Sequence, residues 1–302
     1  MTTTNDLFEE DLDLPDSTAQ HRYAALVGLD HIKDRLMKEA ELILQPKLLE
    51  DWSVRSHGTV LPALRWVAAR PPLIIFAGDV GTGKTTLAET FADAIARRHG
   101  IDVRVKRLSL RARGSGAVGE MTRLIGTAFD VVLREARAAG PRQPFVLVID
   151  EADALAQSRE AAQMHHEDRA GVNALIRGIS QIAVEQLGIL VVMCTNRADA
   201  LDPALRRRAA AEFDFARPND AQRAAVFATI FDGIGLTASQ IAELVALTGP
   251  TERGYGHTYS DLVDRILAAA CLAAYPDRPL TAGLITEQIR ANPPTRPFAE
   301  RG

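Results

Sequence analysis

The stretch FAGDVGTGKTTLAETF, residues 76–91, decides the fold. An apolar run stops at a glycine, the chain turns through two more glycines, and a helix-forming stretch follows at once. Gly78, Gly83, Lys84 and Thr85 fit the spacing G-x-x-x-x-G-K-[ST]. A phosphate needs several converging N–H donors at close range. Glycines permit that approach because no Cβ stands in the way, and the helix that follows aims its positive end at the anion. The expected cradle is therefore Asp79, Val80, Gly81, Thr82 and Gly83, with Lys84 reaching the β and γ phosphates of a nucleoside triphosphate. The Thr85 hydroxyl is the expected Mg²⁺ ligand, with Thr86 completing the binding segment.

Outward from this loop, strands and helices alternate. LIIFA (73–77), VRVKRLSL (103–110), FVLVID (145–150), GILVVMC (188–194) and EFDFA (212–216) read as strands. FVLVI and ILVVM are apolar throughout rather than alternating, as expected when helices cover both faces of a parallel sheet. Leu87, Phe91 and Ile95 recur four apart, and RRHG closes that helix with a basic turn and a glycine. This alternation predicts a doubly wound α/β domain. Past ARPND the pattern is helical throughout, which predicts a small all-helical domain starting near Arg217. Upstream, LVGLDHIKDRLMKEAELIL has helical spacing, with Ile32, Leu36, Leu42 and Ile43 able to share a face. DWSVRSHGTVLPALRWVAARPP reads as a connection. Residues 1–20 carry six acidic side chains and no basic one, and are expected to be a disordered acidic tail.

A second carboxylate-bearing strand end is needed beside the loop. FVLVIDEAD supplies it: Asp150 is placed to hold the magnesium's water shell, and Glu151 to polarise a water attacking the γ phosphate. The competing reading is that both cap the next helix. In GILVVMCTNRADALDPALRRR, Asn196 follows an apolar strand and could orient the attacking water, although a turn alone would explain it. Arg206, Arg207 and Arg208 cannot all face one way, since neighbours on a helix diverge by about 100°. One or two could project toward another subunit's nucleotide, or all could form a solvated basic turn.

Composition bounds the rest. The chain has 302 residues, a formal net charge of −4 and two cysteines, Cys194 and Cys271, both in apolar stretches and read as buried free thiols. No run approaches the roughly 20 apolar residues needed to cross a bilayer, and the expectation is a cytoplasmic protein without a membrane partner. His165 and His166 have no metal-ligand spacing.

Together, GDVGTGKT, VLVIDEAD, CTNRADALDPALRRR and the helical C-terminal segment resemble an AAA+ ATPase over roughly residues 21–275. The resemblance implies ATP and Mg²⁺, a five-stranded parallel sheet ordered 5-1-4-3-2 within a large domain (21–216), a helical lid (217–302), and a homo-oligomeric, six-membered ring. It assigns Lys84, Glu151 and Asn196 to catalysis and places nucleotide between the two domains. Arg207 and Arg208 match the trans-acting finger positions, Val27 and Gly28 the segment bordering adenine, and Ser260 and Asp261 the lid positions facing nucleotide. More narrowly, SLRARGSGAVGEMTRLIGTAFDVV, RQPFVLVIDEADAL and DRAGVNALIRGISQI are similar to the pachytene-checkpoint ATPases, which remodel HORMA-domain proteins. Bacterial relatives act beside cyclic-nucleotide synthases in defence against phage.

Two departures stand out. Fewer than eighty residues precede the loop, too few for the substrate-recruiting N-terminal domain of the eukaryotic type. Where relatives place a pore aromatic, this chain has Ala117 and Val118, flanked by Arg111 and Arg113, so limited unfolding fits better than forceful threading. The alternatives are an activase of a metabolic enzyme, or a nucleic-acid motor or loader drawing on Arg104, Lys106, Arg107, Arg111 and Arg113. Nucleic acid is the less expected partner, since no DNA-binding module is visible.

Overall fold

The computed structural model describes residues 7–110, 119–140, 143–157, 165–252 and 254–298. Two compact units emerge. The first holds the chain up to Tyr23, His31–Ala77 and Thr85–Asp214; the second holds Ala24–Asp30, Gly78–Lys84 and the chain from Phe215 onward. The second unit gathers the phosphate loop and the segment around Gly28 together with the C-terminal part of the chain.

The first unit is built on strands β1 (Glu10–Leu14), β2 (Leu73–Gly78), β3 (Val103–Ser109), β4 (Phe145–Asp150), β5 (Ile189–Thr195) and β6 (Ala211–Phe215). They form one sheet in the order β1-β3-β4-β5-β2-β6. Leaving β1 aside, this is the expected 5-1-4-3-2 arrangement. Pairing is parallel for β3–β4, β4–β5 and β5–β2. The helices are α1 (Ser17–Ala24), α2 (Asp30–Leu44), α3 (Lys47–His57), α4 (Leu64–Ala68), α5 (Lys84–His99), α6 (Glu120–Ala139), α7 (Ala154–Gln157), α8 (His165–Glu185) and α9 (Pro203–Arg206).

The unbroken apolar strands follow from burial on both faces. Leu73, Ile75, Leu147, Ile149, Val191 and Met193 join a core with Ile125, Phe129 and Val132 of α6 and Leu175 and Ile179 of α8. The alternate residues Ile74, Phe76, Val146, Val148, Leu190 and Val192 are just as buried and point to the opposite face, because side chains alternate along a strand. Arg107 of β3 reaches Glu89 of α5 on that second face, so α5 covers it.

The N-terminal segment departs from expectation. Residues 10–14 are an antiparallel edge strand on β3, in the register Glu10↔Arg107 to Leu14↔Val103, and α1 follows. The acidic side chains have partners that local sequence does not reveal. Asp11 accepts from Arg104 at 2.8 Å and from Lys106 at 2.6 Å, and Glu9 lies 2.9 Å from Arg107. Burial acts to raise the Asp11 carboxyl, but hydrogen bonds from Arg104 and Lys106 outweigh it and hold its pKa below the ordinary value. An acidic strand on a basic one is stable where either alone would stay solvated. The same pairing occupies three of the arginines and lysines that offered basic character to a nucleic acid. Arg111 and Arg113 lie outside the described residues, as do Ala117 and Val118.

Two smaller differences concern local structure. The stretch read as a connection contains the latter part of α3 and all of α4, with Gly58 closing α3 in the left-handed conformation. Cys194 is buried as expected, whereas Cys271 is exposed. Its neighbour Leu272 is exposed too, so that helix presents apolar residues outward despite its composition.

The second unit is helical, as expected. Helices α10 (Asp220–Ile230) and α11 (Ala238–Thr248) each start with a capping box, Asn219 with Gln222 and Thr237 with Gln240. A π-helical turn at Asp261–Ile266 runs into α12 (Leu267–Ala274), and α13 (Ala282–Ala291) is capped by Thr281. No strand occurs among the described residues past Phe215. Leu244, Leu262, Ile266, Ile285 and Ile289 are buried within it.

The α6–α8 packing generates a paired prediction. A Cβ on Gly178 of α8 would overlap the Phe129 ring, whereas one on Gly126 of α6 meets nothing within 4 Å. Gly178→Ala should destabilise the protein by about 1–3 kcal/mol through overpacking. Gly126→Ala should stabilise it by about 0.5–1 kcal/mol through helix propensity. Denaturant midpoints of the two variants, read against the wild type, should shift in opposite directions.

Candidate nucleotide site

The parallel register brings four strand ends to one edge of the first unit. Ala77 pairs with Thr195 on the β2–β5 side, Ile149 with Met193 between β4 and β5, and Ser109 with Asp150 between β3 and β4. Asp150, Glu151 and Asn196 therefore emerge on neighbouring strands. Glu151 has φ of 55°, a left-handed conformation that a non-glycine residue rarely adopts. It is held there by specific bonds: its N–H donates to Asp150 Oδ1 at 2.8 Å, and the Ser109 hydroxyl donates to its Oε2 at 2.8 Å. Ala152 N–H donates to the Cys194 carbonyl, and Asn196 N–H donates to Asp153 Oδ1 at 3.3 Å, tying the turn after β4 to the end of β5.

The sequence reading missed β3's share in this site. Arg107 and Ser109 are two apart, so they project from the same face. Ser109 touches Glu151, and Arg107 Nη1 lies 3.7 Å from Asp150 Oδ2. A serine two residues past an arginine carries no recognisable signal; only the register of β3 against β4 makes it one.

The three arginines, at and just past the end of α9, differ in their partners. Arg206 pairs with Glu212 at 2.9 Å, and Arg208 turns back to donate to the Ala204 carbonyl at 3.2 Å. Arg207 is exposed and makes no ion pair among the described residues. It is the arginine available to a second molecule. Thr85 and Thr86, in the first turn of α5, are both half-buried.

The second unit contains the loop itself. Lys84 is buried and donates to the Asp79 carbonyl at 2.7 Å, and the Thr82 hydroxyl donates to the same oxygen at 2.8 Å. Gly78 has φ of 148°, and a Cβ there would collide with the Phe215 carbonyl, so only glycine fits at the start of the loop. The Ser260 N–H donates to the Gly81 carbonyl at 3.1 Å. The Asp79 carboxylate receives the Val80 N–H, the Phe298 N–H at 3.0 Å, and both Nε and Nη2 of Arg217. Beside Val27, the Gly28 carbonyl accepts from Gln222 Nε2 at 2.7 Å.

Ser260 and Asp261 sit where the resemblance places them in sequence, but the structure gives Asp261 a fastening role. Its side chain is 1% exposed. Its oxygens accept from the Thr258 N–H, the Thr295 N–H and hydroxyl, and Arg265. Those four bonds fill a carboxylate's capacity. The Ser260 hydroxyl is likewise directed at Asp264, at 2.6 Å. His257 is buried with its ring nitrogens beside the carbonyls of Thr248 and Asn292. No cluster of metal-ligating side chains occurs among the described residues.

A strand–glycine loop–helix, carboxylates at the end of another strand of the same sheet and a following helical unit define a P-loop ATPase. Comparison with known proteins agrees and goes further. Residues 74–217 match the ATPase family associated with various cellular activities (AAA). CD-NTase-associated protein 6 of Escherichia coli (strain MS 115-1) is 47% identical, over 98% of this chain and 97% of that one. The Trip13 fold is shared as well. A chain in the structure of the E. coli MS115-1 HORMA:CdnC:Trip13 complex superposes with a TM-score of 0.88 at 47% identity, over 97% of this chain and 98% of that one. Rhizobiales Trip13 superposes with a TM-score of 0.76 at 43% identity, over 96% and 100%. The chain belongs to the AAA ATPase family, among the relatives of CD-NTase-associated protein 6.

Asp261 yields a pH prediction. Burial acts to raise its carboxyl, and is outweighed by hydrogen bonds from Thr295, Thr258 and Arg265, which bring its pKa from 3.8 down to about 2. The folded value lies below the unfolded one, so the group contributes stability at pH above its ordinary value and loses it as pH falls toward the folded value. Asp261→Asn should lower the melting temperature at about pH 7, with the gap to wild type narrowing below about pH 4. Circular dichroism melts across that range check it.

Proposed function

We propose that the protein binds ATP with Mg²⁺ at the Gly78–Thr86 segment and hydrolyses it in a homo-oligomeric, six-membered ring to remodel a protein partner of the HORMA class, in an anti-phage signalling system. The observation that carries this reading is the 47% identity, over nearly the whole of both chains, with a chain of the E. coli MS115-1 HORMA:CdnC:Trip13 complex. The residues that such turnover needs, Lys84, Thr85, Asp150, Glu151, Asn196 and an exposed Arg207, are all present.

The donors fit the expected group. Thr85 and Asp150 offer oxygen only, which suits a hard, strongly hydrated cation such as Mg²⁺; bound with the nucleotide, that ion would neutralise charge on the phosphates. Lys84 is poised to exchange its bond with the Asp79 carbonyl for phosphate oxygen. Glu151, fixed by Ser109, takes the proton side of the attack by polarising a water, and Asn196 orients that water. Hydrolysis waits for a further positive charge on the γ phosphate, which Arg207 of an adjacent subunit supplies. Arg208 instead turns back to the Ala204 carbonyl of α9.

Two inactive variants test the ring. Glu151→Gln retains Arg207 but cannot activate water, and Arg207→Ala retains Glu151 but offers no finger. Each alone should fall to background ATPase activity. Mixed in equal amounts they should recover about a quarter of the wild-type rate, since one random pairing in four joins a competent site to a competent finger. A mixture that stays inactive contradicts the trans arrangement. Capture of a HORMA protein by Glu151→Gln with ATP, and its loss with ADP, checks the partner.

A further inference from the structure

The phosphate loop carries a carboxylate. Asp79 is its second residue, in a segment whose purpose is to gather a polyanion, and an uncompensated negative charge there would repel the ligand. The structure shows how that charge is balanced. Arg217, the second residue after β6, directs Nε to Asp79 Oδ2 at 2.9 Å and Nη2 to the same oxygen. The side chains are only 14% and 18% exposed, so solvent screens the pair little.

Arg217 is itself held in place. Its Nη1 donates to the Gly256 carbonyl at 2.6 Å, and its guanidinium lies 5.0 Å from the centroid of the Tyr255 ring. One residue thus spans the loop and the Tyr255–Gly256 turn of the same unit. Asp79 Oδ1, meanwhile, accepts from the Val80 and Phe298 N–H groups. These are neutral donors, so among the described residues Arg217 is the cation paired with this carboxylate.

We infer that Arg217 is a positioning residue for nucleotide binding: it neutralises Asp79 and sets the charge that a triphosphate meets on entering the loop. This rests on the assignment of Gly78–Thr86 as a triphosphate site. A pair that only fastened the unit together would make both of its members necessary in the same direction. Charge compensation makes them oppose one another. Loss of Arg217 exposes a carboxylate beside the phosphates and weakens binding. Loss of the Asp79 charge frees a guanidinium beside the phosphates and tightens it.

The test is equilibrium binding of ATP with Mg²⁺, by calorimetry, to wild type, Arg217→Ala, Asp79→Asn and the double variant, with melting temperatures measured in parallel. Arg217→Ala should bind about tenfold more weakly and Asp79→Asn about threefold more tightly. The double variant should return to within about twofold of wild type, although each site has lost its side-chain charge. Raising salt should shrink both single-variant effects. The inference is overturned if both single variants weaken binding, or if the double variant is as weak as Arg217→Ala. Asp79→Asn keeps the test alive should Arg217→Ala fail to fold, because a weaker or unchanged affinity there contradicts the inference on its own. Absence of binding by the wild type would instead remove the underlying assignment of the loop.

Discussion

The in-register parallel pairing of β3, β4, β5 and β2 is the constraint on which the rest depends. Parallel strands end together, so Ser109, Asp150, Thr195 and Ala77 finish at one edge. Backbone groups beyond the last ladder bond lose their partners there, and polar side chains and a glycine-rich turn become affordable only at that edge. A one-residue slip of β4 against β3 would turn Asp150 to the opposite face and part Glu151 from Ser109. The strained backbone at Glu151 is tolerated because Ser109 of β3 holds its side chain and the next residue, Ala152, bonds to Cys194 of β5.

How much of this could be read from the amino-acid order depends on how local each cause is. The central strands were legible because burial on both faces forces unbroken apolar runs, and the phosphate loop because its glycines and Lys84 lie within a few residues of each other. The N-terminal strand was not. Its acidic residues look like a solvated tail until Arg104, Lys106 and Arg107, more than ninety positions away, are laid beside them. The Arg217–Asp79 pair, 138 positions apart, was hidden for the same reason. Helical periodicity predicted the lid, yet it could not tell that Asp261 is consumed by Thr258, Thr295 and Arg265, since those bonds depend on how the turn before α12 and the chain after α13 come together.

Charge in this protein is placed in pairs rather than spread. The basic face of β3 is answered by β1, the loop carboxylate by Arg217, and Arg206 by Glu212. Exposed pairs of this kind contribute little to stability, about 0–1 kcal/mol each. Their effect is greatest where burial prevents screening, as at Asp79 and Asp261, and both of these fasten the chain near its C-terminal end. Arg207, by contrast, is exposed and makes no ion pair among the described residues.

The most direct measurement of the central claim is the stoichiometry and location of nucleotide binding. Calorimetric titration of the wild type with a non-hydrolysable ATP analogue and Mg²⁺ should give saturable binding in each subunit, and Lys84→Ala should abolish it while leaving the melting temperature of the free protein within a few degrees. Undiminished binding by Lys84→Ala would contradict the account, because the triphosphate would then lie somewhere other than the carboxyl edge of β2.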